Sequence, residues 1–268
     1  MKIVIRHETV YTYDAPVRSL TQYLRLVPRD TARQKVLEWK LDTPAPTVRT
    51  QDGYGNVLDV LTIDKPVTEV RIVASGTVQT SAAVDEPSDF TGPPLSPLLF
   101  LRATGLTHPD PAIAALAEGF RPGAHSLAGL RALAARVRER IRPRIGEPGF
   151  NPRAGDALAA GSGPPPDLAH VFIACCRHLG VPARYACGYV YMPERGGDPS
   201  VGHSWAEAWV EERWHSFDVA LGGSIGERHV KVAMGGDHLD ACPIRGMRIG
   251  GGNETMTVRA QVRQQQQN

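Results

Sequence analysis

The stretch that most constrains the fold is an apolar helix predicted over residues 167–179. Asp167 is a good N-cap, and apolar residues follow on nearly every side of the helix. Gly180 stops the helix and Pro182 prevents its return. A helix that is apolar all round has to be buried, so we expect a domain core to form around it. The positive end of its dipole points at residues 163–166, where a thiol would be a strong nucleophile. The sequence has prolines there and no cysteine.

Length and composition limit the possible functions. The 268 residues are enough for one large domain or two modest ones. A net charge of +2 gives no reason to expect nucleic acid or a membrane surface as a partner. The chain begins without a signal-peptide apolar stretch and contains no long apolar run, which predicts a cytoplasmic protein. The four cysteines form no C-x-x-C pair, and no cofactor is expected.

The first third of the chain reads as β-rich. Short β-branched and aromatic segments alternate with turn signals through residues 2–82, with a break predicted at 14–16. The turn residues after 47–51 predict that 57–63 returns as its hairpin partner. This spacing favours a small sandwich or a curled sheet. We therefore predict a β-rich domain over 1–85, a second domain over 86–262 and a disordered tail over 263–268.

The second informative stretch is a strand predicted over residues 203–210. Its strict alternation places His203, Trp205 and Glu207 on one face. The next segment returns antiparallel after a tight connection, which places Asp218 across from Trp205 and one diagonal step from His203. An imidazole and a carboxylate on neighbouring strands form the arrangement that orients a catalytic base.

Motifs spread over nearly the whole chain identify a family. They are Gly180-Val-Pro-Ala-Arg-Tyr185, Gly188-Tyr189, His203-x-Trp-x-Glu207, Phe217-Asp218, His7-x-Thr-x-Tyr-x-Tyr13 and Asp52-Gly-Tyr-Gly-Asn56. Their order and combination resemble the bacterial branch of the transglutaminase-like superfamily, which contains papain-related cysteine enzymes and their relatives. The resemblance implies an α+β fold, with a β-rich N-terminal domain followed by a papain-like core. In that core a central buried helix packs on an antiparallel sheet.

The resemblance also implies a set of site residues. The family's chemistry uses a Cys-His-Asp triad, with the thiolate at the start of the central helix. Carried over position by position, His203 is the histidine and Asp218 is the aspartate. The family pattern Gly-x-Cys-x-Asp reads Gly163-Pro-Pro-Pro-Asp167 in this chain, so Pro165 stands at the nucleophile position. Proline has no nucleophile and no N–H, so part of the oxyanion-binding backbone is lost as well.

The leading hypothesis is a transglutaminase-like protein that has lost its nucleophile, a pseudoenzyme. Its groove at Pro165, His203 and Asp218 is expected to bind a peptide or a partner protein. That partner is an active homologue or another enzyme of peptide or amide metabolism, by family analogy. The further candidates for groove residues are Asp167, Tyr189, Trp205 and Glu207.

The residues leave two alternative functions open. One is an active amidase, protease or acyl transferase that uses a relocated nucleophile, Ser162 or Cys187. Another is a structural or assembly role in which side chains fill the old groove. His203, Glu207 and Asp218 are of the residue types that bind metals, but no second histidine is spaced to help them. The sequence therefore predicts no metal.

Overall fold

The computed structural model describes residues 1–82, 95–147, 149–150, 153–193 and 202–265. The strands are β1 (Lys2–Leu24), β2 (Gln34–Asp42), β3 (Thr47–Gln51), β4 (Val57–Ile63), β5 (Val67–Thr80), β6 (Arg142–Pro143), β7 (Ser162–Gly163), β8 (Ala183–Val190), β9 (His203–Val210), β10 (Arg213–Phe217), β11 (His229–Gly235), β12 (Ile244–Gly250) and β13 (Glu254–Gln264). The helices are α1 (Pro111–Glu118), α2 (Leu127–Arg140), α3 (Ala154–Ala160), α4 (Pro165–His178) and α5 (His238–Ala241), with short 3₁₀ turns at Pro97–Leu101 and Arg121–Gly123. The predicted α+β class is confirmed.

A seven-stranded sheet forms around β1, which is 23 residues long. β1 pairs with β5 and β13 along its first half and with β4 and β12 along its second half, which makes one curled sheet. The predicted hairpin of β3 with β4 is confirmed. The break predicted at residues 14–16 is wrong, because the strand continues there and only its register with β5 shifts, between Thr12 and Val17. Pro16 lies inside this shift, where the regular ladder of hydrogen bonds is interrupted, so the N–H that proline lacks is not needed for pairing.

Both C-terminal strands belong to this first sheet, although the sequence analysis grouped residues 86–262 in the second domain. β12 pairs with the second half of β1, and β13 pairs with the first half, where its alternate apolar residues Ala260 and Val262 pack with Ile3 and Ile5. The predicted tail is wrong at residues 263–264, which continue β13. Residues 266–268 and the predicted boundary after residue 85 lie outside the described residues.

The second sheet is antiparallel, in the order β10-β9-β8-β11, and α4 packs across it. The other face of α4 packs against α1, α2 and α3, so nearly all of its residues are buried. The predicted central buried helix on an antiparallel sheet is therefore observed. No helix in the described parts of the chain is both long and apolar enough to cross a lipid bilayer.

The start of α4 differs from the prediction. The helix begins at Pro165 with Pro164 at the N-cap, so Asp167 lies in the first turn and is not the N-cap. Proline is tolerated there because the first N–H groups of a helix have no acceptor within it, and because its φ is already helical. The three consecutive prolines therefore start the helix two residues earlier than expected.

Replacing Phe172 with alanine tests the packing of α4. Its side chain is fully buried, and its ring centroid lies 4.8 Å from that of Phe217 at the end of β10. We expect Phe172→Ala to lower the free energy of unfolding by about 3–5 kcal/mol, because a cavity opens between the helix and the sheet. Urea denaturation measures the change. Met247→Ala is the control, since Met247 is 71% exposed on β12 and should change stability by less than about 0.5 kcal/mol. Equal stability of the two variants would contradict this position of α4.

Candidate active site

His203 and Asp218 meet where the register of β9 and β10 places them. Phe217 pairs with Ala206, so the next residue, Asp218, lies across from Trp205. The Nε2 atom of His203 is 2.7 Å from Oδ2 of Asp218, and both side chains are buried. A carboxylate only accepts hydrogen bonds, so Nε2 carries the hydrogen and Nδ1 is the second nitrogen of the ring. The proximity predicted from the sequence is confirmed, while the role of the pair as a triad remnant stays a prediction.

Asp218 has two further partners that fix its carboxylate. Nε2 of His229, the first residue of β11, lies 2.9 Å from the same Oδ2 atom, and the N–H of Leu221 donates to Oδ1 at 2.9 Å. Burial alone would raise the pKa of Asp218, but His203 and His229 lower it below its usual range. The carboxylate is therefore ionised. Sequence reasoning missed His229, because it comes from the opposite edge of the sheet and no local pattern links it to Asp218.

His203, Asp218 and His229 form the kind of group that could hold a metal ion. Their ligand atoms all lie within 4.8 Å of one another. However, the N–H of Gly226 points at Nδ1 of His229 from 3.1 Å, so the neutral ring carries its hydrogen on Nε2. A protonated nitrogen has no lone pair for a metal. The three side chains therefore fit a hydrogen-bonded set in which both histidines donate to Asp218.

Glu207 belongs to a buried ion cluster. Its Oε2 accepts a hydrogen bond from Arg184 at 2.6 Å, and its Oε1 accepts one from Nζ of Lys231 at 2.6 Å. The guanidinium of Arg184 also stacks on the ring of Trp214, with its central carbon 4.0 Å from the ring centroid. Burial would raise the pKa of Glu207, but the two cations outweigh it and lower the pKa to about 2. Glu207 therefore holds β8, β9 and β11 together and is not available as a metal ligand.

A cavity of about 300 Å³ opens between the curled sheet and the core. Among the residues predicted for the site, Pro165, Tyr189 and His203 line it. The curled sheet contributes a second wall, with His7, Thr9 and Tyr11 from β1 and Met256 and Val258 from β13. The cavity is therefore formed by both parts of the chain, and the position that carries Pro165 faces it beside His203.

The other predicted groove residues lie away from the cavity. Asp167 is buried, with its carboxylate packed so closely on Gly163 that a Cβ on that glycine would be 2.2 Å from Oδ2. Trp205 is fully buried with Ala186 and Met234 and packs edge-on against His229. The alternation correctly put Trp205 and Glu207 on the face of His203. However, each two residues along a strand span about 6.6 Å, so neither side chain reaches the cavity that His203 lines.

Comparison with known proteins identifies the family. Residues 3–79 match the family model of the bacterial transglutaminase-like N-terminal region, and residues 114–219 match that of the transglutaminase-like superfamily. The chain belongs to the transglutaminase-like superfamily. The second match contains Pro165, His203 and Asp218.

Relatives cover the chain from end to end. An uncharacterized protein of Mycobacterium leprae is 27% identical over 98% of both chains. Another, from Mycobacterium bovis, is 29% identical over 91% of this chain and 86% of its own. The crystal structure of a candidate cysteine protease from Cytophaga hutchinsonii superimposes with a TM-score of 0.79 at 20% identity, and covers 100% of this chain and 92% of its own. At that identity the likeness shows the shared fold.

The start of the central helix in this transglutaminase-like core has no free backbone donor. Pro164, Pro165 and Pro166 have no N–H, and the next one along the chain, that of Asp167, donates to the carbonyl of Pro164 at 3.0 Å. Helix starts commonly bind anions through such N–H groups. Here Pro165 and Pro166, which have no N–H, line the cavity instead.

The candidate replacement nucleophiles are poorly placed. Ser162 lies in β7 and is not among the residues that line the cavity. Cys187 does line it, but its thiol donates to the carbonyl of Ala241 at 3.1 Å. Burial, and then the neighbouring Cys242, raise the pKa of Cys187 to about 12. Cys242 also faces the cavity, with a pKa that burial raises and a thiol that donates to the carbonyl of Ile244. Thiols with raised pKa values are weak nucleophiles.

Replacing Glu207 with glutamine tests the ion cluster. The change removes the negative charge between Arg184 and Lys231, and we expect the free energy of unfolding at pH 7 to fall by about 3–5 kcal/mol. Because folding lowers the pKa of Glu207 from 4.5 to about 2, its contribution is complete above pH 4.5 and is lost as the pH falls toward 2. The stability difference between wild type and Glu207→Gln should therefore shrink over that range.

Denaturant unfolding at a series of pH values measures this difference. Glu139→Gln is the control, since Glu139 is 65% exposed on α2 and pairs with Arg136 of the same helix. Its substitution should change stability by less than about 0.5 kcal/mol. A stability difference for Glu207→Gln that stays constant from pH 7 to pH 2 would show that the carboxylate is not held ionised by the two cations.

Proposed function

We propose that this protein is a non-catalytic member of the transglutaminase-like superfamily, whose cavity binds a peptide or a segment of a partner protein. The observation that carries the proposal is Pro165 as the first residue of α4, facing the same cavity as His203. The histidine keeps its bond to Asp218, so the base and its orienting acid remain while the nucleophile is absent.

The cavity itself supports binding. It is open to a ligand and has walls from both the curled sheet and the core, as clefts between structural units commonly do. This favours a binding role over a purely structural one, in which side chains would fill the space beside His203. The proposed partner is an active homologue or another enzyme of peptide or amide metabolism. The proposed location is the cytoplasm, in keeping with four cysteines that are all unpaired.

Restoring the missing thiol tests whether Pro165 stands at the nucleophile position. We expect iodoacetamide to alkylate Pro165→Cys at residue 165 with a labelling pKa below the ordinary value of about 8.5, because His203 and the helix dipole stabilise the thiolate. In Pro165→Cys/His203→Ala the labelling pKa should rise toward that value. Labelling rates measured against pH, with the modified residue mapped by mass spectrometry, give both values. Pro165→Ala, followed by circular dichroism, is the control for folding.

Two results would overturn the proposal. A labelling pKa at residue 165 that does not change on removal of His203 would mean that Pro165 is not beside the histidine. Turnover of a peptide or amide substrate by the wild-type protein, abolished by His203→Ala, would show an active enzyme. In that case an electrophilic acyl probe should leave a covalent adduct on Ser162 or Cys187, the candidates for a relocated nucleophile.

A further inference from the structure

The cavity beside His203 has apolar walls. Rings and aliphatic chains from five parts of the fold line it: Tyr11, Phe150, Pro165, Tyr189, Met256 and Val258. Two charged residues also border it, and each is paired. Arg25 is bound to Asp52 at 2.7 Å, and Glu147 is bound to Arg144 at 2.5 Å. Neither offers an unmatched charge to a ligand.

His7 and His238 of the cavity wall are neutral at ordinary pH. His7 is bonded through Nδ1 to the hydroxyl of Tyr189 at 2.8 Å and through Nε2 to Thr9 at 3.1 Å. Burial lowers the pKa of His7 to about 4. Burial also lowers the pKa of His238 to about 4, although Asp237 opposes the shift, and its Nδ1 meets the hydroxyl of Tyr185 at 3.2 Å. Both ring nitrogens of His7 and Nδ1 of His238 are thus bonded within the protein, and neither ring adds a positive charge.

The wall formed by the start of α4 cannot bind an anion. In a helix start with free N–H groups, a carboxylate or an oxyanion would find hydrogen-bond donors. Pro165 and Pro166 both line the cavity and have none. A ligand carboxylate placed here would lose its hydration and gain no donor from this end of the helix, which is unfavourable.

One polar atom stands out against these walls. Nε2 of His203 donates to Asp218, so in the tautomer with its single hydrogen on Nε2 the Nδ1 atom is an acceptor. No described residue donates to it, and His203 lines the cavity. An N–H group of a ligand in the cavity would meet this acceptor.

We propose that the cavity takes a bulky, neutral, apolar side chain of a bound peptide, and that Nδ1 of His203 accepts the main-chain N–H of the same residue. This inference rests on the proposed function, since it names the ligand class of the same site. The volume of about 300 Å³ has room for a leucine or phenylalanine side chain. Burying such a side chain removes apolar surface from water and is favourable, whereas a charged one would lose its hydration.

A matched peptide set tests the specificity. Blocked peptides Ac-Gly-Gly-X-Gly-Gly-NH2 with X as Phe, Leu, Gln, Glu or Lys are titrated into the full-length protein by calorimetry. We expect the Phe and Leu peptides to bind at least about tenfold more tightly than the Glu and Lys peptides, which corresponds to 1.4 kcal/mol. N-methylation of the Phe residue removes its N–H and should weaken binding about three- to tenfold, the range of one hydrogen bond.

A pair of lysine substitutions separates the cavity from the surface around it. Met256 lines the cavity and is 53% exposed, so the fold should accept Met256→Lys. That variant should bind the Phe peptide at least about tenfold more weakly and reduce the discrimination against Glu. Met247→Lys, at a residue that is 71% exposed on β12 and does not line the cavity, is the matched control and should bind as wild type does.

The outcomes separate this inference from the proposed function. Binding in which Glu or Lys is preferred, or in which Met256→Lys has no effect, overturns the apolar site and leaves peptide binding in place. Equal binding of the N-methylated peptide overturns the part assigned to His203. Failure of every peptide in the set to bind counts against the proposed peptide-binding function itself, and the inference falls with it.

Discussion

The burial of α4 between the four-stranded sheet and helices α1–α3 fixes where every part of the site can lie. Because the helix is packed on all sides, its first residue, Pro165, has one possible position relative to β8 and β9. β9 then carries His203 to the same end of the core. The curled sheet closes the other side of the cavity with β1 and β13. Both ends of the chain therefore help to shape a site whose reactive groups all come from the core.

The parts of the fold that depend on local pattern could be predicted from the sequence. The all-round apolar helix, the alternation of β9 and the tight turn into β10 were enough to place His203 beside Asp218. Long-range pairing could not be predicted in the same way. β12 and β13 carry no local signal for joining β1, and His229 reaches Asp218 from a strand that pairs on the far side of β8.

Two of the errors within the site, at Trp205 and Glu207, have the same physical cause. Alternation indicates which face of a strand a residue occupies but not how far along the strand a cavity extends. Trp205 and Glu207 share the face of His203, yet one packs under the two histidines and the other is held by Arg184 and Lys231. Asp167 was misplaced because the helix starts at proline residues, whose own geometry begins a helix without a side-chain cap.

The site is stable without any catalytic role. Asp218 is a buried carboxylate, and buried charges need partners. It has them in His203, His229 and the N–H of Leu221, so its environment is satisfied whether or not a nucleophile is present. The prolines at the start of α4 have no N–H, so this end of the helix is stable without a ligand that accepts hydrogen bonds from it. An intact histidine–aspartate pair is thus no evidence of activity here. What the pair leaves available to a ligand is one ring nitrogen of His203, in a cavity whose two charged residues, Arg25 and Glu147, are paired with Asp52 and Arg144.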